Sequence, residues 1–157
     1  MTLRCSVAVV VAVVVEVGIA LVAAAPALAQ QQPVAAGRIK LVAGAVSLVH
    51  DGRQTPATVG ALVYEQDSLT TGPDGRVGLT LRDETRLSIG PGSAIEISRF
   101  LYAPADSQYA FALKVIRGVV AYVSGRIAKL SPDAVRLETP SAIVGVRGTR
   151  LTIRVGR

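Results

Sequence analysis

From Arg38 onward the apolar residues of this chain recur at every second position, and that period predicts strands. Val77, Leu79 and Leu81 share one face, with Gly78, Thr80 and Arg82 opposite. Leu87 and Ile89 alternate with Arg86 and Ser88, and Ile95 and Ile97 flank Glu96. Leu151, Ile153 and Val155 alternate with Arg150, Thr152 and Arg154. These segments read as half-buried strands near Arg76–Leu81, Thr85–Ile89, Ala94–Ile97, Val135–Thr139 and Arg150–Val155. Leu79, Leu87 and Ile95 stand eight residues apart, as do Leu81, Ile89 and Ile97. Turn signals separate them at Asp51-Gly52, Gly72-Pro73-Asp74-Gly75, Asp83-Glu84 and Gly90-Pro91-Gly92. The pattern predicts an all-β domain over residues 38–157. A β-solenoid-like or strongly twisted double sheet of short strands fits best, and a β-sandwich is the alternative. No segment after residue 30 carries a helical stripe. Ala103 to Asp106 reads as a surface loop, and Ser131-Pro132-Asp133 as a turn or a single helical turn.

The first 29 residues break the period and predict a secretory signal peptide. Arg4 supplies a basic start, Val7 to Val15 is unbroken apolar chain, and Ala27-Leu28-Ala29 is a small-x-small cleavage pattern before Gln30. Pro26 disfavours cleavage after Ala25. Glu16 splits the apolar stretch, at a cost of about 2.5–3.5 kcal/mol near the middle of a membrane span. The competing reading is an inner-membrane anchor through residues 7–25, long enough to span. The expected location is periplasmic or secreted. Residues 30–37, polar with Ala and Pro, read as a flexible leader. Cys5 precedes the apolar run, so it is not a lipoprotein cysteine. The mature region has no cysteine, and its core must hold it without disulfides.

Charge and aromatic content add two partner classes. The formal net charge is +6, and Arg4 cancels Glu16, so the excess lies in the mature region. In an exported protein the acidic partners are lipopolysaccharide, anionic lipid or an acidic protein face, and nucleic acid is not expected. A solvated basic surface is the commoner meaning of such a charge. Phe100, Tyr102, Tyr109, Phe111 and Tyr122 crowd the middle third. They read either as a stacking platform or, more commonly, as core with hydroxyls at the edge.

Catalytic candidates are sparse. His50 is the one histidine. It runs into the Asp51-Gly52 turn and reads as an exposed turn residue. Glu65 and Asp67 fall on one face of an extended segment and could do acid–base work, but turn capping is the simpler role. Gly72, Gly75 and Gly78 lack dinucleotide spacing and a following helix, so they read as turn and strand glycines. The acids are too scattered to converge on a metal. No enzyme activity, cofactor or metal site is expected. Arg150 and Arg154 share a strand face and are the candidate partner-binding residues. Arg147, between Val146 and Gly148, reads as a structural arginine that ties down carbonyls or a carboxylate.

The run Thr139-Pro140-Ser141-Ala142-Ile143-Val144-Gly145-Val146-Arg147-Gly148-Thr149 closes a set of segments that resembles the FecR-type domain. The set begins at Gly44-Ala45-Val46 and continues through Leu62 to Gly72, Asp74-Gly75-Arg76-Val77-Gly78-Leu79 and Thr85 to Ser93. It resumes at Arg117-Gly118-Val119-Val120 and Val123 to Lys129. The resemblance implies a β-rich module on the outer side of the inner membrane that binds another envelope component in signalling or assembly. It gives Thr139, Pro140, Arg147, Gly148 and Thr149 a structural part. A binding module for anionic polysaccharide or a lipid surface is the alternative. One departure is Glu84, where the family usually has glycine, in a turn that favours positive φ. The iron-transport regulators of this family also have a cytoplasmic anti-sigma segment. The short stretch before residue 7 leads us to expect a stand-alone, exported protein without it.

Overall fold

The computed structural model describes residues 33–146 and 150–156. The expected signal or anchor segment, Arg147, Gly148, Thr149 and the first residues of the leader lie outside the described residues. The strands are β1 (Gly37–Ala43), β2 (Val46–His50), β3 (Arg53–Pro56), β4 (Leu62–Val63), β5 (Ser68–Thr71) and β6 (Arg76–Leu81). They continue with β7 (Arg86–Ile89), β8 (Ala94–Ala103), β9 (Gln108–Val123), β10 (Val135–Glu138), β11 (Ile143–Gly145) and β12 (Arg150–Val155). One short helix, α1 (Arg126–Leu130), follows β9, and 3-10 turns occupy Pro104–Asp106 and Pro132–Ala134.

The strands form one strongly curled sheet that behaves as two. Sheet A runs β4-β1-β6-β7-β9-β12, and sheet B runs β3-β2-β5-β8-β9-β10-β11. All pairings are antiparallel except β9 with β10. The strand β9 belongs to both sheets. Its first part pairs with β8 and β10, and its last part pairs with β7 and β12. The all-β expectation and its twisted double sheet are what the structure contains.

The period-two residues explain the core. Val77, Leu79, Leu87 and Ile89 of sheet A face Leu69, Ile95, Ile97, Leu113 and Val115 of sheet B in a single buried cluster. Each such side chain contributes about 1.5–3 kcal/mol by leaving water. The aromatics join it. Phe100 meets Phe111 edge to face at 6.2 Å, and Phe111 stacks on Tyr122 at 6.1 Å. Burial pushes the Tyr122 phenol up to about 12. The Thr85 hydroxyl opposes that shift, but among the described residues the Tyr122 oxygen has no partner in hydrogen-bond geometry.

The chain crosses between the sheets from β3 to β4, from β4 to β5, and repeatedly at one corner. The crossings at this corner are Gly44-Ala45, Gly72 to Gly75, Gly90 to Ser93, and the bend of β9 at Gly118. Backbone bonds tie them in series: Gly72 N–H donates to Ala45 O (2.8 Å), Gly92 N–H to Gly72 O (2.9 Å), and Gly90 N–H to Val119 O (2.8 Å). Two buried hydroxyls serve the groups that the ladders leave over. Thr71 Oγ1 donates to Gly90 O and accepts from Ser93 N–H, and Ser93 Oγ accepts from Val119 N–H at 3.0 Å. Gly118 has φ +92°, and a Cβ there would lie 2.1 Å from Ser93 Oγ and 2.5 Å from Ser93 Cα. Only glycine lets β9 bend here.

Several expectations need correction. The eight-residue spacing holds for Leu79 and Leu87, which pair directly. It fails for Ile95, which pairs with Leu69 and Val115 in the other sheet. The turn Gly90-Pro91-Gly92 is a crossing and not a hairpin. The leader ends earlier than residue 37, since Ala36 is buried and Gly37 opens β1. The helix α1 was not visible as a stripe, because only Ile127 of its residues is buried. The expected loop at Ala103 to Asp106 is the β8–β9 connection, exposed at Pro104 to Asp106.

Candidate functional site

The outer face of sheet A carries an arginine field. Residues directly opposite in antiparallel strands point to the same side, so register fixes which side chains share the face. Arg38 pairs with Thr80, Thr80 with Arg86, Arg86 with Val123, and Val123 with Arg150. This row places three arginines on alternate strands, about 10 Å apart by strand spacing. A second row holds Leu41, Gly78, Ser88, Ala121 and Thr152. Beyond it, Arg76 pairs with Ala43 and Arg154 with Val119. All five arginines are exposed. None forms an ion pair among the described residues, and no carboxylate occupies a position in these rows. The middle row is a shallow trough of about 390 Å³, lined by Leu41, Arg76, Gly78, Ser88, Val119 and Ala121.

The strand β12 forms one margin of this face. Its burial alternates, with Arg150, Thr152 and Arg154 outward and Ile153 buried. The structure thus places Arg150 and Arg154 on one exposed face. Sequence reasoning missed Arg38, Arg76 and Arg86 as their companions. They lie far away along the chain, and only the register joins them. Among the described residues β12 pairs with β9 alone, leaving its other edge open.

At one end of sheet A, Asp83 is fully buried. Its carboxylate accepts from Thr85 N–H (3.1 Å), the Thr85 hydroxyl (2.7 Å) and Ile127 N–H (3.4 Å), and its carbonyl accepts from Arg126 N–H. It therefore caps α1 from a different segment. Glu84 keeps the left-handed backbone expected of a glycine, with φ +69°. Its side chain meets Arg126 at 2.7 Å. The turn tolerates the departure from the family pattern. Gly125 sits against it, where a Cβ would lie 2.3 Å from Asp83 O.

His50 is not an exposed turn residue. It ends β2 half-buried, with Nδ1 2.6 Å from Asp67 Oδ1 and its ring 4.7 Å from that of Tyr64. The hydrogen bond to Asp67 raises its pKa above 6.5; desolvation opposes the shift, and the charges of Asp67 and Asp51 add to it. The other Asp67 oxygen accepts from Tyr64 N–H at 2.8 Å, and Glu65 accepts from Phe100 N–H at 2.9 Å. Asp67 thus caps a turn, the one at Tyr64, whereas Glu65 does not cap a turn but holds a backbone donor of β8. No paired acid–base site forms from Glu65 and Asp67, since each is engaged separately. No three His, Cys, Asp or Glu side chains converge on a metal site among the described residues.

Thr139 and Pro140 form the turn between β10 and β11. Thr139 Oγ1 donates to Ala142 O and accepts from Ala142 N–H, each at 3.0 Å. The remaining motif residues, Arg147, Gly148 and Thr149, are outside the described residues. Tyr102 and Tyr109 are half-buried and pair at 6.1 Å, while Phe100, Phe111 and Tyr122 are core. The aromatic cluster does not form a stacking platform.

No curated protein matches the chain, and no solved structure does. One family model does, described as FecR protein, over residues 67–157. Its match begins at the buried Asp67 and takes in β6, β7, β9 and β12, which supply most of the arginine field. It covers more than half of the sequence, so the chain belongs to the FecR family, whose envelope-associated domains serve regulation and signalling.

Proposed function

We propose that this domain is an exported binding and regulatory module that acts by docking and not by catalysis. Its partner is an envelope protein, and β12 is the docking element. The observation that carries this reading is the coincidence on one strand of an edge unpaired among the described residues with the outward Arg150, Thr152 and Arg154. An open edge accepts a partner strand through backbone bonds, whereas the arginines attract an acidic face.

The test is co-purification from envelope extract at low and high salt, with wild type and Arg150→Glu/Arg154→Glu. Charge-driven docking weakens with salt and is lost in the double variant. Strand addition survives both treatments. Unchanged affinity of the double variant at low salt refutes the arginine role, and absence of a specific protein partner refutes the reading. Catalysis would be indicated if His50→Ala or Glu65→Gln/Asp67→Asn abolished a turnover while the fold was retained. The periplasmic or secreted location is checked by N-terminal sequencing, with Gln30 expected first. A start at Met1 in the membrane pellet would instead favour the anchor through residues 7–25. Among the described residues no helix is long and apolar enough to cross a membrane.

A second reading is favoured by the acid-free arginine field, which extends well beyond β12. It makes the domain a binding module for an anionic polysaccharide or a lipid surface.

A further inference from the structure

We propose that the outer face of sheet A is a track for a linear anionic polysaccharide laid across the strands, with Arg38, Arg86 and Arg150 on one side and Arg76 and Arg154 on the other. This rests on the second reading above and not on protein docking at β12. Charge complementarity is the first argument. The arginines are exposed and without ion pairs among the described residues, and no acid stands among them. A guanidinium in this state offers paired donors that match carboxylate, sulfate or phosphate.

Geometry is the second argument. The arginine rows run perpendicular to the strands and are separated along them by about 13 Å, four residues of extended chain. Between them the floor is Gly78, Ser88 and Ala121, small enough to let a chain lie down. Within the first row the arginines recur at about 10 Å, twice the strand spacing. A linear polymer with an acidic sugar at every second position presents charges at a similar interval. The track has no exposed aromatic ring, so recognition depends on charge and not on stacking against neutral sugar.

A lipid surface fits less well. Peripheral membrane contact needs apolar side chains that enter the interface between the basic groups. The large apolar residues in these rows are Leu41 in β1, Leu62 beside Arg38 in β4, and the half-buried Val119 and Val123. Past Leu41 the middle row narrows to Gly78, Ser88 and Ala121, from which no large apolar side chain projects.

The test titrates the mature domain with hyaluronan, which carries one carboxylate per disaccharide. Phosphatidylglycerol vesicles and polyglutamate serve as rival polyanions. Two variants of equal charge change are compared, Arg38→Glu/Arg86→Glu on sheet A and Lys114→Glu/Arg136→Glu on the outer face of sheet B. The sheet A variant should lose more than about tenfold in hyaluronan affinity and flatten the salt dependence by up to about one unit of log–log slope per arginine. The sheet B variant should lose far less. Equal loss in both variants, or vesicles or polyglutamate bound as tightly as hyaluronan, overturns the proposal. Arg38→Gln/Arg86→Gln repeats the test without charge reversal if the first variant does not fold. Because neither Arg38 nor Arg86 lies on β12, loss of hyaluronan binding with protein capture retained separates this proposal from the docking one.

Discussion

The outer faces of the two sheets are built by the same alternation and carry opposite charge logic. On sheet B, Glu96 stands opposite Lys114, and Lys114 stands beside Glu138. The flanking Arg99 and Arg136 face Ala112 from both sides. Signs are mixed within one or two strand steps, as on an ordinary solvated surface. Sheet A repeats one sign across five strand positions. Like charges on one face repel, so stability alone does not account for that arrangement. A run of positive charge with no acid interspersed is therefore found on the outer face of sheet A and not on that of sheet B.

The comparison breaks most completely at Gly118, which lets one strand serve both sheets. Gly118→Ala forces a side chain onto the Ser93 backbone at a left-handed position. It should cost more than about 3 kcal/mol, measured by denaturant midpoint, because a clash adds to backbone strain. If the loss is small, the two sheets do not depend on the bend. Asp83→Ala comes next. It leaves the buried Thr85 and Ile127 donors unsatisfied at the end of sheet A, and about 2–3 kcal/mol should be lost. A loss no larger than that of a surface substitution would mean that water or repacking replaces the carboxylate.

The faces themselves are compared by retention on a cation exchanger. Arg38→Glu/Arg86→Glu should elute earlier than Lys114→Glu/Arg136→Glu, although both remove the same charge. Neither should shift stability by more than about 0.5 kcal/mol, the usual range for surface changes. Equal elution would mean that the clustering on sheet A has no consequence in solution.

The smallest effect concerns pH and falls on sheet B, where the only histidine lies. The His50 pKa is raised by its hydrogen bond to Asp67. The protonated ring therefore stabilises the fold fully below about pH 6.5, the unfolded value. That contribution is lost as pH rises through the raised folded value. The melting-temperature difference between wild type and His50→Gln should shrink over that interval. A difference independent of pH would mean that the ring packs on Tyr64 without exchanging a proton.

The strands were legible where alternation is strong. The strand β6 appears as Arg76–Leu81 and β12 as Arg150–Val155, both as the pattern predicts. The pairing of strands was less legible, because Gly90-Pro91-Gly92 has the composition of a hairpin turn and acts as a crossing. Local composition reports that the chain turns and not which sheet it enters next. The candidate site suffered from the same limit. Arg150 and Arg154 are two strand positions of one segment and can be seen to share a face. Arg38, Arg76 and Arg86 join them only through pairings between segments. His50 and Asp67 are separated by 17 positions, and no periodicity brings them together.

The double membership of β9 also has a kinetic meaning. The strands β8 and β9 are consecutive, joined through the single 3-10 turn at Pro104–Asp106, and pair from Ala94 with Arg117 to Ala103 with Gln108. This hairpin closes a short loop, so its entropy cost is low compared with that of pairing β1 to β6 or β12 to β9. Once formed, it presents the far end of β9 as a ready template for β7 and then for β12. The β6–β7 hairpin closes an equally short loop and carries Arg76 and Arg86, so two local hairpins meet on β9, and the arginine field is complete once β1 and β12 have joined them.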